Sequence, residues 1–363
     1  MRTIAIHLPQ FHPIPENDAW WGRGFTEWTN VARARPLFRG HAQPRIPADL
    51  GYVDLRLAEA RQAQAELARR HGIQGFCFYH YWFQGRRLIE RPVDEILASG
   101  APDFPFMLCW ANESWSRRWL GEERDVLLQQ TYSMQDHERH ATWLARAFAD
   151  PRYLRVHDRP VFLIYRPLDI PELSAALQVY RRVVHAELHR DPFLVAVDSR
   201  SSGHDFREEG FDYTMNFRPQ LGVIPGVADD GFGLRRWWRN CRLGIASGRL
   251  KAIDSAEFDR RMRAIEPRHD HYFPSVYVGW DNTPRRGERG VVVLGQTPAR
   301  FHQQVRRAMD TVARRPPEEQ LLFVNAWNEW AEGNHLEPDL AYGRAYLEAL
   351  QAALQGRPAP AAD

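Results

Sequence analysis

Two glutamates, Glu329 and Glu332, stand three residues apart in the segment Asn325 to Asp339, which reads NAWNEWAEGNHLEPD. Two carboxyl groups facing one cavity are what glycoside chemistry needs. One gives a proton to the leaving oxygen, and the other stays ionised as nucleophile or base. Two glutamates in a loop are ordinarily a solvated surface pair. Here they follow an apolar run, Leu321 to Ala326, and are flanked by Trp327, Asn328 and Trp330. Indole bulk around a carboxyl desolvates it and raises its pKa, which suits an acid. Glu113 competes for that role. It follows the apolar run Pro105 to Trp110 and lies between Trp110 and Trp115. A Glu113 acid with a Glu329 nucleophile is therefore an alternative, the other roles for Glu113 being substrate binding or a pair with Arg117 or Arg118. Glu27, in Gly24-Phe25-Thr26-Glu27-Trp28, is read as ordering its loop or touching ligand.

Residues so far apart in sequence need a scaffold that gathers them. Eight short β-type runs alternate with helical patterns. They are Thr3–Leu8, Gly75–Tyr81, Pro105–Trp110, Pro160–Tyr165, Phe193–Val197, a weaker Asp212–Asn216, Phe273–Val278 and Leu321–Ala326. Helices are expected over about Val53–His71, Met134–Asp150, Pro171–His189, Thr297–Arg314 and Asp339–Gln355. Apolar strands separated by helices predict a parallel sheet covered on both faces. Closure into a single α/β (β/α)₈ barrel of the TIM type is the economical reading. An open doubly wound sheet is less supported, because no glycine-rich dinucleotide or phosphate loop follows the first strand. The expected barrel runs over residues 1–355 with a frayed tail at 356–363. Insertions at about 11–50 and 221–268 exceed ordinary barrel connections and are expected to lie over the C-terminal face.

In such a barrel the site forms at the C-terminal ends of the strands. Each predicted strand ends in polar or aromatic residues. They are His7 and Gln10; Tyr79, His80, Tyr81 and Trp82; Trp110, Asn112 and Glu113; Tyr165 and Arg166; Asp198, Ser199 and Arg200; Asn216 and Arg218; Trp280, Asp281 and Asn282; then Trp327, Asn328, Glu329, Trp330 and Glu332. Any strand must end somewhere, yet this repeated mixture of Trp, Asn and acids suits a polyhydroxylated ligand, because indole faces stack on the C–H faces of sugars.

The bulk numbers exclude several classes. The 48 basic and 46 acidic side chains leave +2, so no net field draws the chain to nucleic acid. The 13 Trp, 12 Tyr and 19 Phe are the compositional anomaly. No run of about 18 apolar residues offers a membrane span. Three cysteines at wide spacing form no disulfide framework, and the first residues, MRTIAIHLPQFHP, resemble no export signal, so a cytoplasmic location is expected. His269-Asp270-His271 and His335 with Glu337 are metal-ligand types without ligand spacing, and no G-x-S-x-G elbow is present. Neither a metal nor a cofactor is expected. The basic stretch Arg235 to Lys251 is read as a helix or loop face, with contact to an acidic glycan as the alternative.

Four long segments resemble the WbsX family of glycoside hydrolase family 99-like proteins. They are AIHLPQFHPIPENDAWWGRGFTEWTNV at Ala5–Val31, GFCFYHYWF at Gly75–Phe83, LCWANESWSRRW at Leu108–Trp119 and NAWNEWAEGNHLEPD at Asn325–Asp339. The similarity extends to family 99 endo-α-mannosidases through N-E-W-x-E-G-x-x-x-E-P, met by Asn328, Glu329, Trp330, Glu332, Gly333, Glu337 and Pro338. The resemblance implies a barrel fold, with Glu329 as the base on a substrate 2-hydroxyl and Glu332 as the general acid/base. It also implies that Tyr79, His80, Tyr81 and Trp82 line the sugar subsite. Ala331 departs from the mannosidases, which commonly carry His there, and this puts mannose specificity in doubt. WbsX proteins are also associated with O-antigen and lipopolysaccharide synthesis and labelled glycosyltransferases. The expected function is cleavage or transfer of glycosidic bonds in a bacterial surface polysaccharide or its precursor, with an oligo- or polysaccharide as partner. A glycosyltransferase and a catalytically silent glycan-binding barrel are the alternatives.

Overall fold

The computed structural model describes residues 1–116, 126–200, 204–224, 234–245, 249–267 and 269–360, apart from the side chains of 234–237 and 239. Eight parallel strands form its centre: β1 (Arg2–His7), β2 (Gly75–Phe83), β3 (Phe106–Trp110), β4 (Arg159–Ile164), β5 (Phe193–Asp198), β6 (Tyr213–Asn216), β7 (Tyr272–Tyr277) and β8 (Leu321–Asn325). Each pairs with its neighbours in chain order, and β1 pairs with both β2 and β8, which closes the barrel. The closing register sets Ala5 beside Phe76 on one side and beside Val324 on the other. Strands β3, β5, β6, β7 and β8 are buried at every residue. Burial on both faces is why they read as unbroken apolar runs rather than alternating ones. All eight strand expectations fall on barrel strands, with ends within two residues.

The helices outside the barrel are less regular than the expected alternation. They are α3 (Ala58–Arg70), α4 (Arg91–Ser99), α5 (Met134–Phe148), α6 (Leu173–Leu188), α8 (Ser255–Ala264), α10 (Pro298–Val312) and α11 (Ala345–Leu354). Ser133, Asp254 and Thr297 cap the starts of α5, α8 and α10 by accepting backbone N–H bonds, which fixes those boundaries. Among the described residues no helix separates β5 from β6. The last helix begins at Ala345 rather than Asp339. Asp339 Oδ1 instead accepts the N–H groups of Ala341 and Tyr342 at 2.9 and 2.7 Å and holds a turn.

Two long connections decorate the C-terminal mouth. The first carries the short helices α1 (Pro15–Trp21) and α2 (Glu27–Arg33). Helix α2 packs on the turn Trp330–Glu332. Leu8, Phe11, Val31, Val53, Leu55, Trp330 and Ala331 form a separate apolar cluster beneath it. The second connection holds α7 (Leu234–Leu243) and a strand, Lys251–Asp254, that pairs in parallel with Val291–Leu294 outside the barrel. A last short helix, α9 (Thr283–Arg286), follows β7 with Pro at its first turn. Cys77 and Cys109 are buried and unlinked. No helix among the described residues is long and apolar enough to cross a membrane.

Candidate active site

The mouth of the barrel opens into a cavity of about 360 Å³. Glu329 and Glu332 lie on its wall, beyond the end of β8. The chain turns there through a single helical turn, Trp330–Glu332, which ends on Gly333 at φ +60°. That turn directs both carboxyls to one guanidinium. Arg285 Nη1 donates to Glu332 Oε1 at 2.7 Å, and Arg285 Nη2 donates to Glu329 Oε2 at 3.0 Å. The same Nη2 donates to Glu27 Oε1 at 2.7 Å. Glu27 also accepts the backbone N–H of Ala331 at 2.9 Å, so the first long loop grips the turn that carries the pair.

Three carboxyl groups thus surround one cation. The Arg285 side chain is 8% exposed and those of Glu27 and Glu329 are 0% and 9%, while Glu332 keeps 23% toward the cavity. Burial raises the Glu329 carboxyl to about 8, against the opposing pull of Arg285 and with the help of the charges on Glu332 and Glu27. Burial also raises Glu332, again opposed by Arg285. With its carboxyl at about 8, Glu329 keeps its proton near neutrality. A buried set of carboxyls that holds one exchangeable proton is suited to acid–base work.

The remaining wall is aromatic and amide-rich. Tyr79, Tyr81, Gln10, Glu113 and Tyr165 line the cavity, as do Trp21, Trp115, Trp280, Asn282, Asn325, Arg166, Arg285 and Arg286. Burial pushes the Tyr79, Tyr81 and Tyr165 phenols well above their usual range, so they stay neutral O–H donors. Glu113 is held by Arg166, whose Nε and Nη2 both donate to its Oε1 at 2.8 and 2.6 Å. Arg117 and Arg118, the partners weighed from sequence, lie outside the described residues. Two charge-assisted bonds to one oxygen fix the orientation of the Glu113 carboxyl on the cavity wall.

Many of the residues singled out in sequence stand away from the cavity wall. Strand alternation splits the β2 quartet: Tyr79 and Tyr81 face the mouth, whereas His80 and Trp82 face α5. His80 stacks on Trp143 at 4.7 Å, and Trp82 Nε1 donates to Asp136 at 3.0 Å. Trp110, Trp327 and Trp330 are fully buried, so the two tryptophans beside Glu329 pack into the protein rather than form a wall around it. Trp330 stacks on His335 at 3.7 Å and donates to Glu337 Oε2 at 2.6 Å. The other Glu337 oxygen accepts from Gln64 at 2.7 Å, and Gln64 Oε1 meets His7 Nε2 at 3.1 Å. Glu337 and His7 therefore belong to a buried network behind the pair. Asp281 is likewise buried, bound by His41 and Gln43, each at 2.7 Å.

Two asparagines act as peptide mimics. Asn328 accepts the N–H of Leu8 at 2.8 Å and donates to its carbonyl at 3.0 Å, tying β8 to β1. Asn112 accepts the N–H of Arg166 at 2.7 Å and donates to its carbonyl at 2.9 Å, tying β3 to β4. Of the described residues between 221 and 268, Leu221 alone reaches the cavity; in the basic run Arg235 to Lys251, the side chains of Arg235, Arg236 and Arg239 lie outside the described ones.

A family model described as "Glycosyltransferase WbsX" matches residues 3–350. The chain belongs to the WbsX family. A WbsX relative in curated collections, the uncharacterized protein WxcX of Xanthomonas campestris pv. campestris, is 41% identical over 360 residues. That match covers 98% of this chain and 50% of WxcX, so the chain spans about half the length of the curated relatives it matches. Among solved structures, the GH99 endo-alpha-mannosidase from Bacteroides thetaiotaomicron superposes with a TM-score of 0.59 at 14% identity, covering 98% of this chain and 97% of the mannosidase. A glycoside hydrolase-like protein follows at 0.56 and 12% identity, with 97% and 93% covered. At these identities the likeness is one of fold. Within the WbsX chain, Arg285 was not singled out from sequence, and its signal was slight: an Asn-Thr-Pro helix start just after β7, followed by two arginines.

Proposed function

We propose that this WbsX chain is a retaining carbohydrate-active enzyme that cleaves or transfers glycosidic bonds of a bacterial surface polysaccharide or its precursor. The observation that carries the reading is the convergence of Glu329 and Glu332 on Arg285 at the barrel mouth, beside a cavity lined by tyrosines and tryptophans. In this reading Glu329, once ionised, takes the proton of the substrate 2-hydroxyl. The 2-oxygen then attacks the anomeric carbon and closes an anhydro ring. The bond to the leaving oxygen breaks, and Glu332 gives that oxygen its proton. An incoming hydroxyl opens the ring from the opposite face, losing its proton to Glu332, while Glu329 returns the first proton to the 2-oxygen. Two inversions give net retention.

Water as the incoming hydroxyl makes a hydrolase, and a second sugar makes a transferase by the same steps. The family description as a glycosyltransferase is thereby compatible with the same two glutamates.

The test is a turnover screen on O-antigen fragments with the wild-type chain, Glu329→Gln and Glu332→Gln, reading product configuration by NMR. Each variant is expected to lose about 10²- to 10⁴-fold in rate. Full turnover by both variants removes the two-glutamate assignment. Consumption of nucleotide sugars alone replaces the reading with a nucleotide-dependent transferase. Tight glycan binding with no turnover under any condition leaves a silent binding barrel.

A further inference from the structure

Among the described residues three arginines line the cavity, and two of them are engaged. Arg166 is occupied by Glu113 and Ser199, and Arg285 by Glu27, Glu329 and Glu332. Arg286 is different. It follows Arg285 directly in α9 and lines the same cavity. Its side chain makes no hydrogen bond or ion pair among the described residues, and its Nε is buried without a partner. A guanidinium on a cavity wall with no protein acceptor leaves its N–H donors for a ligand acceptor. The guanidinium is a rigid fork of N–H donors matched to planar or tetrahedral oxyanions, and hydrogen bonds to such groups are among the strongest available.

We infer that Arg286 is a specificity residue that selects an acidic sugar, one bearing a carboxylate or a phosphate monoester, at the proposed glycan site. The inference rests on the glycan reading given above and adds the substrate class to it. Arg286 lines the same cavity as Glu329 and Glu332, so the anionic substituent belongs to a sugar bound in that cavity. The neighbouring wall fits such a ligand: Trp280 offers an apolar face and Asn282 an amide within the same lining. The carboxylates on this wall, Glu113, Glu329 and Glu332, are turned onto the other two arginines rather than onto Arg286.

The experiment measures binding of three probes to the full chain by calorimetry: D-glucuronate, D-glucose 6-phosphate and D-glucose. The same titrations are run on Arg286→Gln and Arg286→Lys, with thermal melts to show that each variant is folded. One or both acidic probes are expected to bind about 10- to 100-fold tighter than glucose. Which acidic probe gains more identifies the carboxylate or the phosphate as the group read. Arg286→Gln should bring the ratio close to one, and Arg286→Lys should keep part of it. Equal binding of glucose and the acidic probes overturns the inference and leaves the glycan reading standing. A preference that survives in Arg286→Gln also overturns it, because another group would then be reading the charge. Failure of all three sugars to bind overturns the inference together with the glycan reading.

Discussion

Glu27 and Arg285, 258 residues apart in the chain, meet at 2.7 Å in a buried ion pair. The pair joins the first long loop to the helix after β7, and the same guanidinium also holds the carboxyls of Glu329 and Glu332. Glu27 therefore acts on the proton affinity of a residue it does not bond directly.

The charge of Glu27 is one of the causes that raise Glu329 to about 8. Glu27→Gln keeps an oxygen for the Ala331 N–H and removes that charge, and it leaves Arg285 more fully to Glu329. The Glu329 carboxyl should then ionise at lower pH. A carboxyl-carbon NMR titration of Glu329 in both proteins checks the direction, and an unmoved or upward-moved midpoint in the variant would contradict it.

Arg285→Gln removes, among the described residues, the cation that bonds all three carboxyls. Breaking such a buried arrangement costs about 3–5 kcal/mol, because uncompensated charge is left in the interior. The loss should be greatest at alkaline pH and shrink as acid protonates the carboxyls. Denaturant melts across the pH range provide the measurement. A deficit that stays constant with pH would mean that Arg285 contributes packing rather than charge compensation.

Glu329 also links stability to pH. Its carboxyl lies at about 8 in the folded chain against an ordinary value of 4.5, so the folded state disfavours the ionised form. The penalty begins as pH rises through the unfolded value of 4.5 and is complete above about 8. Glu329→Gln should therefore melt higher than wild type at pH above this window, and its advantage should fade toward acid. Equal or lower melting temperature at alkaline pH would show that the carboxylate is stabilised rather than penalised.

Gly279 packs directly on the turn that follows the pair. A Cβ at this position would lie 2.7 Å from the Gly333 carbonyl oxygen, a backbone atom that cannot swing aside. Gly279→Ala should cost about 1–3 kcal/mol and shift the Trp330–Gly333 turn. The Glu332 side chain would move with it, so rate should fall more than Glu329 proton affinity changes. Unaltered stability and turnover would mean that this contact relaxes freely.

Much of the architecture was legible because burial writes itself into sequence. Strands covered on both faces must be apolar throughout, and runs such as LLFVN in β8 carry no competing periodicity. Among the described residues no helix separates β5 from β6, and the helical patterns in the sequence placed none there. Aromatic content was legible and aromatic placement was not. Trp82 and Trp330 are buried and give their N–H groups to Asp136 and Glu337, acceptors that adjacent sequence does not supply. Among the described residues, the tryptophans that line the cavity, Trp21, Trp115 and Trp280, come from three separate connections.

By itself the sequence determined the strands, the barrel they close into, and the two carboxyls beyond β8, because these follow from local pattern and spacing. The tertiary structure alone decided which groups surround those carboxyls. Arg285 is 44 residues from Glu329 and Glu27 is 304 from Ala331, and no local periodicity encodes such meetings. The proton affinity of Glu329 depends on the burial and charges that those distant residues supply, so it exists only once the barrel has brought its loops together.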